Sequence, residues 1–343
     1  MAPSKKLTVI SVGDIMLGDG IQQIRRGVRA AWSEKDSAVL LKDLQPVLST
    51  AQLVIGNLEC NLGDVDPKNP FGMIYTGSPQ HLRGLKSTGF THLALANNHI
   101  LERGRDSAEQ TRQLVEMEGM LSCCGHNPVR SVCDGMTVDI FTYNLIHDTP
   151  HLDFYRDTVS SQDLDAIRES NADAKIVIIH WGDEYSHYPS PDQIELGHKL
   201  VDNGATLVLG HHPHVVQGVE NYKDGVIAYS LGNFIFDMIW SERTRSAFII
   251  KAWIVPGGRT RFEKIQCRLD DRFVPRLAPA SPQGELLDKN VLRFQGKSQT
   301  YRNYSKRCLN TSRLQALFHL FCHAFSVDFK TWEALFGRRL RRL

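Results

Sequence analysis

The chain has no apolar stretch of eighteen or more residues, so no segment of it reads as a membrane-spanning helix. Its first residues, Met1-Ala2-Pro3-Ser4-Lys5-Lys6, run straight into a strand-like segment without an apolar core, and a secretory signal is not expected. No C-x-x-C pair occurs, and the seven cysteines are odd in number, with Cys123 adjacent to Cys124. That layout suits reduced thiols in a cytoplasmic protein better than a disulfide framework. Charge of one sign is missing too. The 40 Lys and Arg against 38 Asp and Glu leave +2, too little to argue for nucleic acid as a partner or for an acidic solvating chain. Neither internal repeats nor low-complexity segments are visible.

What is present is globular in character. Across 343 residues, 42% are apolar and 23% charged, near the averages that allow a sizeable core in one large domain or two small ones.

A single pattern recurs along the chain. Leu207-Val208-Leu209 stops at Gly210-His211-His212-Pro213-His214. A short apolar run bounded by a turn signal reads as a buried strand, and histidines placed there stand at the rim of a sheet. Neutral imidazole is a common metal ligand, and His212 and His214 can point two nitrogens the same way. Five further runs end in the same manner: at Gly13-Asp14, at Gly56-Asn57-Leu58-Glu59, at Asn97-Asn98-His99, at His180-Trp181-Gly182-Asp183-Glu184, and at Ser230-Leu231-Gly232-Asn233. Open α/β sheets bind ligands outside the carboxyl ends of their strands, so this series marks one candidate site.

Taken in order, strands are expected at 7–13, 53–55, 91–96, 137–143, 175–179 and 206–209, and helices at 21–29, 37–48, 79–88, 107–118, 163–169 and 194–203. Pro46 is expected to bend or end the helix at 37–48. Gly89, Gly119 and Gly204 read as helix stops. Two long loops, 61–78 and 185–191, interrupt the series. Strands at 248–255 and 261–269 join through Pro256-Gly257-Gly258, a hairpin signal. Alternating strands and helices imply a layered α/β fold. Residues 1–278 read as the domain, and 279–343 as a linker and a basic amphipathic tail. In that tail Leu314, Leu317, Phe318, Phe321, Phe325, Trp332, Leu335 and Phe336 recur at near-helical intervals before Arg338-Arg339-Leu340-Arg341-Arg342. Such a helix docks on its own domain, with a membrane surface or a protein partner as the alternative.

The candidate metal ligands are Asp14, Asn57, Glu59, Asn98, His180, His212 and His214. Carboxylate, amide oxygen and imidazole together suit Mn, Fe, Zn or Mg better than a structural zinc site. So many ligands exceed the needs of one tetrahedral ion. Two divalent ions about 3.5–4 Å apart, bridged by a carboxylate and a hydroxide, would use them all, an arrangement suited to phosphoester hydrolysis. His99, beside Asn98, is the candidate general acid, or else orients a ligand. Glu184 is a ligand, a base or, first of the three, a partner that orients His180. His211, Asn97 and Asn233 are expected to support the ligands.

These motifs, Gly13-Asp14-Ile15-Met16-Leu17-Gly18 through Tyr229-Ser230-Leu231-Gly232-Asn233-Phe234, resemble the motif set of the CapA family, the poly-γ-glutamate capsule synthesis proteins, which are similar to calcineurin-like metallophosphoesterases. The resemblance covers about residues 7–240. It implies a four-layer αββα sandwich with a dimetal site, and a link to capsule or polyglutamate-type polymers. Two departures stand out. The usual D-x-H of the first motif is Asp14-Ile15-Met16, and a thioether does not replace imidazole on a hard ion. The N-terminal membrane anchor common in the family is not visible. Three readings follow: a metal-dependent phosphoester hydrolase acting on a small molecule or polymer, a metal-dependent enzyme acting on γ-glutamyl or amide bonds, and a non-catalytic component of a polymer synthesis or export complex. A cytoplasmic location, with a membrane-peripheral one through the tail, is the accompanying expectation.

Overall fold

The computed structural model describes residues 5–20, 23, 26–32, 35–65, 74–147 and 154–322. Side-chain alternation explains how the strands are layered. In β1 (Leu7–Ile15) Leu7 and Val9 turn to one buried face while Ile10 and Val12 turn to another. A strand covered on both faces needs apolar side chains at nearly every position, and this one has them.

The remaining strands are β2 (Leu53–Leu58), β3 (Asn61–Leu62), β4 (Thr76–Gly77), β5 (His92–Ala94), β6 (Leu121–Cys123), β7 (Val129–Cys133), β8 (Met136–Asn144), β9 (Ala174–His180), β10 (Leu207–His211), β11 (Val219–Tyr222), β12 (Gly225–Ala228), β13 (Asn233–Ile235), β14 (Ser246–Ile254), β15 (Arg261–Leu269) and β16 (Pro275–Leu277). One sheet has the order β16-β15-β14-β1-β2-β5-β6, with β13 paired to the end of β1; the other runs β11-β12-β10-β9-β8-β7, and β3 and β4 pair separately. The centre of each sheet is parallel: β1, β2, β5 and β6 in the first, β8, β9, β10 and β12 in the second. Antiparallel strands extend the first sheet on one side, through β14, β15 and β16, and close the second on both, at β11 and β7.

Three apolar clusters define four layers. Between the sheets, Leu7, Val9, Leu53, Ile55 and Ile250 meet Val138, Ile176, Ile178, Leu207 and Leu209. Outside the first sheet, Ile10, Val54 and Leu93 pack on Leu41, Leu48, Leu85 and Val115 from helices. Outside the second, Val177, Ile179 and Val208 pack on Ile167, Ile194 and Leu200. The architecture is therefore an αββα sandwich, as the resemblance implies.

The helices follow their local signals. Ser160 and Ser190 each close a capping box, with Asp163 and Gln193, at the start of Ser161–Glu169 and Pro191–Asp202. Gly89 stops Leu82–Thr88 in the left-handed conformation at φ 117°. Two helical expectations need correction. The segment 37–48 is broken into Ser37–Leu41, a tight turn at Lys42–Leu44, and Gln45–Leu48. Pro46 opens the last piece rather than ending a longer one, since a proline in the first turn lacks only an amide that would be unpaired anyway. The helix expected at 21–29 is instead Val28–Trp32; residues 21, 22, 24 and 25 lie outside the described residues. All seven cysteines are free.

Where the sequence suggests a linker, Pro282–Lys289 is a helix, and Ser298–Cys322 forms a longer one. Asp288 accepts from the Val219 amide at 2.8 Å and pairs with Lys264. The long helix lies across the loops that follow β9 and β13. Tyr304 Oη accepts from the His187 amide at 3.0 Å, Ser305 Oγ donates to Asp183 at 2.9 Å, and Trp240 Nε1 donates to Ser312 Oγ at 3.1 Å. Phe325, Trp332, Leu335, Phe336 and the closing arginines lie outside the described residues. Among the described residues no helix is long and apolar enough to cross a membrane.

Close backbone approach fixes the end of β10. A Cβ on Gly210 would sit 2.0 Å from the Tyr229 carbonyl oxygen and 2.5 Å from Trp181 Nε1, which donates to that same oxygen. Gly210→Ala is therefore expected to lower stability by at least about 1–3 kcal/mol, seen as a lower urea midpoint at unchanged slope. Gly258→Ala, with its nearest neighbours at 3.4–3.5 Å, should stay within about 0.5 kcal/mol of wild type.

Candidate metal centre

Strand register carries the polar residues to one place. Asp14 lies opposite Asn57 across the parallel pair β1 and β2, and opposite Asn233 across β1 and β13. His180 lies opposite His211 at the ends of β9 and β10. Glu59 follows β2, Asn97 and Asn98 follow β5, and His212 and His214 follow β10. The carboxyl ends of the two parallel centres thus face one another.

Asp14 and Glu59 are both fully buried. Asp14 Oδ1 accepts from Asn57 Nδ2 at 2.9 Å and lies 2.8 Å from His211 Nδ1; its Oδ2 lies 3.5 Å from His214 Nδ1 and 3.4 Å from the His212 amide. Glu59 Oε1 is 3.6 Å from Nε2 of both His180 and His214, and 3.8 Å from His99 Nε2. Asn57 Nδ2 also reaches Glu59 at 3.4 Å and His180 Nδ1 at 3.5 Å. Asn98 Oδ1 meets His180 Nε2 at 3.0 Å. Asn97 donates to Asn57 Oδ1 at 3.1 Å and to the Leu58 carbonyl at 2.8 Å. Asn233 Oδ1 meets His214 Nδ1 at 3.0 Å, while its Nδ2 donates to the carbonyls of His214 and Thr244.

Backbone strain accompanies the cluster. His212 and His214 flank Pro213 with φ of 96° and 55°, a region costly for residues other than glycine. The turn is tied down by the Trp181 amide on the His211 carbonyl at 3.1 Å and by the Tyr185 amide on the Pro213 carbonyl at 2.8 Å.

Electrostatics hold Asp14 as a carboxylate and disfavour protons on His180 and His212. Burial raises the Asp14 pKa, but the His211 hydrogen bond, the charges of His211 and His214 and the Asn57 amide together hold it below its ordinary value. Burial first, and then the neighbouring rings, hold His180 well below the ordinary histidine range. His212 is held down to about 3 by burial and then by His214.

All the expected ligands, Asp14, Asn57, Glu59, Asn98, His180, His212 and His214, therefore converge with Asn97, His211 and Asn233 around them. Glu184 does not join them. The groups around His180 are Asn57, Asn98 and Glu59, so the orienting role expected of Glu184 falls to the amides. Half-buried Glu184 instead lines a cavity beside the cluster with Tyr75 and Tyr185. His99 borders the cluster, its side chain mostly buried. Its Nδ1 is 3.2 Å from Glu102, and its ring stacks on Tyr75 at 3.9 Å. Sequence reasoning passes over Tyr75, which sits in a loop rich in Gly, Pro and Asp with no periodic signal. Met16 is fully buried in the outer core and offers no nitrogen to the site.

The donor set fits a divalent cation. Asp14, Glu59 and His214 each present a ligand atom within 4.8 Å of the others and could hold a metal ion. His212 Nδ1 and His211 Nε2 are buried with no hydrogen-bond partner, a cost of about 1–3 kcal/mol each unless another group engages them. Two hard carboxylates, amide oxygens and buried imidazoles are donors that suit a divalent cation.

The histidine shifts set a pH dependence for the metal-free chain. In the unfolded chain His180 and His212 protonate near pH 6.5, but the folded chain resists their protons. The unfolded state then binds more protons as pH falls, and stability is lost from about pH 6.5 downward, with each histidine contributing at most about 1.4 kcal/mol per pH unit. Urea midpoints in chelator should fall from pH 7 to pH 4, and His212→Gln should flatten that slope.

Residues 8–238, a span that holds all six motifs, match the family described as bacterial capsule synthesis protein PGA_cap. The chain is 30% identical over 311 residues to the capsule biosynthesis protein CapA of Bacillus anthracis, covering 84% of this chain and 72% of that protein. It is 28% identical over 281 residues to the PGA biosynthesis protein CapA of Bacillus subtilis, covering 75% and 70%. A solved structure of a phosphatase from Mycoplasma pneumoniae overlays 77% of this chain and 94% of its own at 13% identity and a TM-score of 0.49, a likeness too low to carry function. The family match and the Bacillus relatives agree: the chain belongs to the PGA_cap family of bacterial capsule synthesis proteins.

Proposed function

We propose that this chain is a metal-dependent hydrolase that cleaves phosphoester bonds in the synthesis of a poly-γ-glutamate-type capsule polymer. The observation that carries the reading is the convergence of two buried carboxylates and buried imidazoles at the ends of parallel strands from both sheets. Residues 1–278 form the reacting domain in this reading, and 279–343 an appended segment.

Asp14, Asn57, Glu59, Asn98, His180, His212 and His214 would hold one or two divalent cations. Such cations supply Lewis-acid charge to a phosphoryl oxygen and activate water for attack. The chain's own residues do the rest. His211 holds Asp14 in place through its 2.8 Å contact, and Asn233 fixes the His214 ring at 3.0 Å. Asn97 holds Asn57, which spans Asp14 and His180. Glu102 and Tyr75 orient His99 with Nε2 turned toward Glu59, where it can give a proton to a leaving oxygen.

A second reading, a non-catalytic part of a polymer synthesis complex, is favoured by buried Met16, which leaves the first motif short of an imidazole. A third keeps the same centre but directs it at γ-glutamyl amide bonds, since an activated water also attacks a carbonyl. Mn-loaded protein is expected to turn over at least one of a phosphomonoester, a phosphodiester or pyrophosphate. His99→Ala should lower kcat by about 10²–10⁴ with metal content unchanged, whereas His180→Ala should lose metal and activity together. Inert metal-loaded protein favours the second reading, and cleavage of γ-glutamyl peptides lost in His180→Ala favours the third.

A further inference from the structure

Beside the cluster lies a cavity of about 420 Å³, a size that accommodates small ligands. Tyr75, Tyr185, Met238 and Leu317 supply apolar wall. Two walls touch the reacting centre directly. Tyr75 stacks on His99, and the Tyr185 amide bonds the carbonyl between His212 and His214. Leu317 and Arg313 come from the helix Ser298–Cys322, outside the segment matched to the family.

Among the described lining residues two are charged, and they have opposite signs: Glu184, half-buried, and Arg313, exposed. Among the described residues neither makes a hydrogen bond or an ion pair, with each other or with another group. Both line the same cavity, one from the loop after β9 and one from the C-terminal helix. Half-buried Glu184 loses hydration beside these walls without recovering it from a partner, while exposed Arg313 keeps its own. A dianion entering here would meet Arg313 but be opposed by Glu184; a dication would meet the reverse. A neutral ligand would strip water from both. A ligand with one ammonium and one carboxylate at the same end compensates both.

We propose that this cavity binds the zwitterionic amino-acid end of the substrate, its ammonium toward Glu184 and its carboxylate toward Arg313, with the reacting bond extending to the cluster of Asp14, Glu59 and His180. The proposal rests on the hydrolase reading only for the position of that bond. Glu184 and Arg313 are then specificity residues, and the C-terminal helix supplies one of them.

L-Glutamate and glutarate differ only in the ammonium and serve as probes. Calorimetric titration of the full chain should show glutamate binding at least tenfold tighter than glutarate. Glu184→Gln should erase that preference. Arg313→Gln should weaken both probes tenfold or more, with Arg313→Lys restoring part of the loss. Both Gln variants should keep wild-type metal content and Tm. The preference should persist in metal-free protein, which separates it from carboxylate capture by a cation. Equal or undetectable binding of the two probes by wild type, or variants that bind as wild type does, overturns the proposal. Loss of the hydrolase reading with the preference intact would leave it standing.

Discussion

The burial of two carboxylates is the constraint on which the rest of this structure turns. Taking Asp14 and Glu59 out of water costs several kcal/mol each unless charge or hydrogen bonds replace the lost hydration. Here the replacement comes from ring nitrogens and side-chain amides, groups that orient well but carry little charge while the imidazoles stay neutral. A divalent cation completes such a balance. The strained turn at His212 and His214 is consistent with this, since backbone held in a costly region marks places where surrounding structure enforces geometry for function.

The sandwich makes that concentration possible. No short segment could hold this many polar groups in one apolar setting. Parallel strands deliver one residue each at their carboxyl ends, and the neighbouring sheet delivers its own from the opposite side. The register pairs Asp14 with Asn57 and His180 with His211, so the ladder hydrogen bonds that stabilise the fold also set the spacing of the site. The close approach at Gly210 does the same for the β10 turn.

Much of this was legible in the sequence because buried parallel strands write continuous apolar runs, and the polar residue that ends each run stands out. The layered α/β class and the convergence of the polar residues follow from that signal, whereas the αββα sandwich was implied only by the family resemblance. Edge elements wrote no such signal. β7, Val129–Cys133, alternates only partly and carries exposed Val132, and β6, β13 and β16 are three residues each. Glu184 was misread because two residues after Gly182 in a strand-end motif looked like nearness to His180, whereas the chain turns there at φ 84° and Tyr185 follows at 62°. Tyr75 and Arg313 reach the site through tertiary packing alone. The long C-terminal helix read as a tail because its exposed apolar residues, Leu314, Phe318 and Phe321, hide the face that docks through Tyr301, Ala316 and Ser312.

The candidate ligands and Glu184 all lie in the family-matched core, whereas the adjoining cavity takes part of its wall, Arg313 and Leu317, from the helix beyond it. Metal binding by that core is the central claim. Crystals grown with Mn, measured on both sides of the metal absorption edge, test it most directly. The account expects anomalous peaks at coordination distance, about 2.0–2.3 Å, from the Asp14 and Glu59 oxygens and the nitrogens of His180, His212 and His214. A well-folded crystal with millimolar Mn and no peak among those side chains would contradict it.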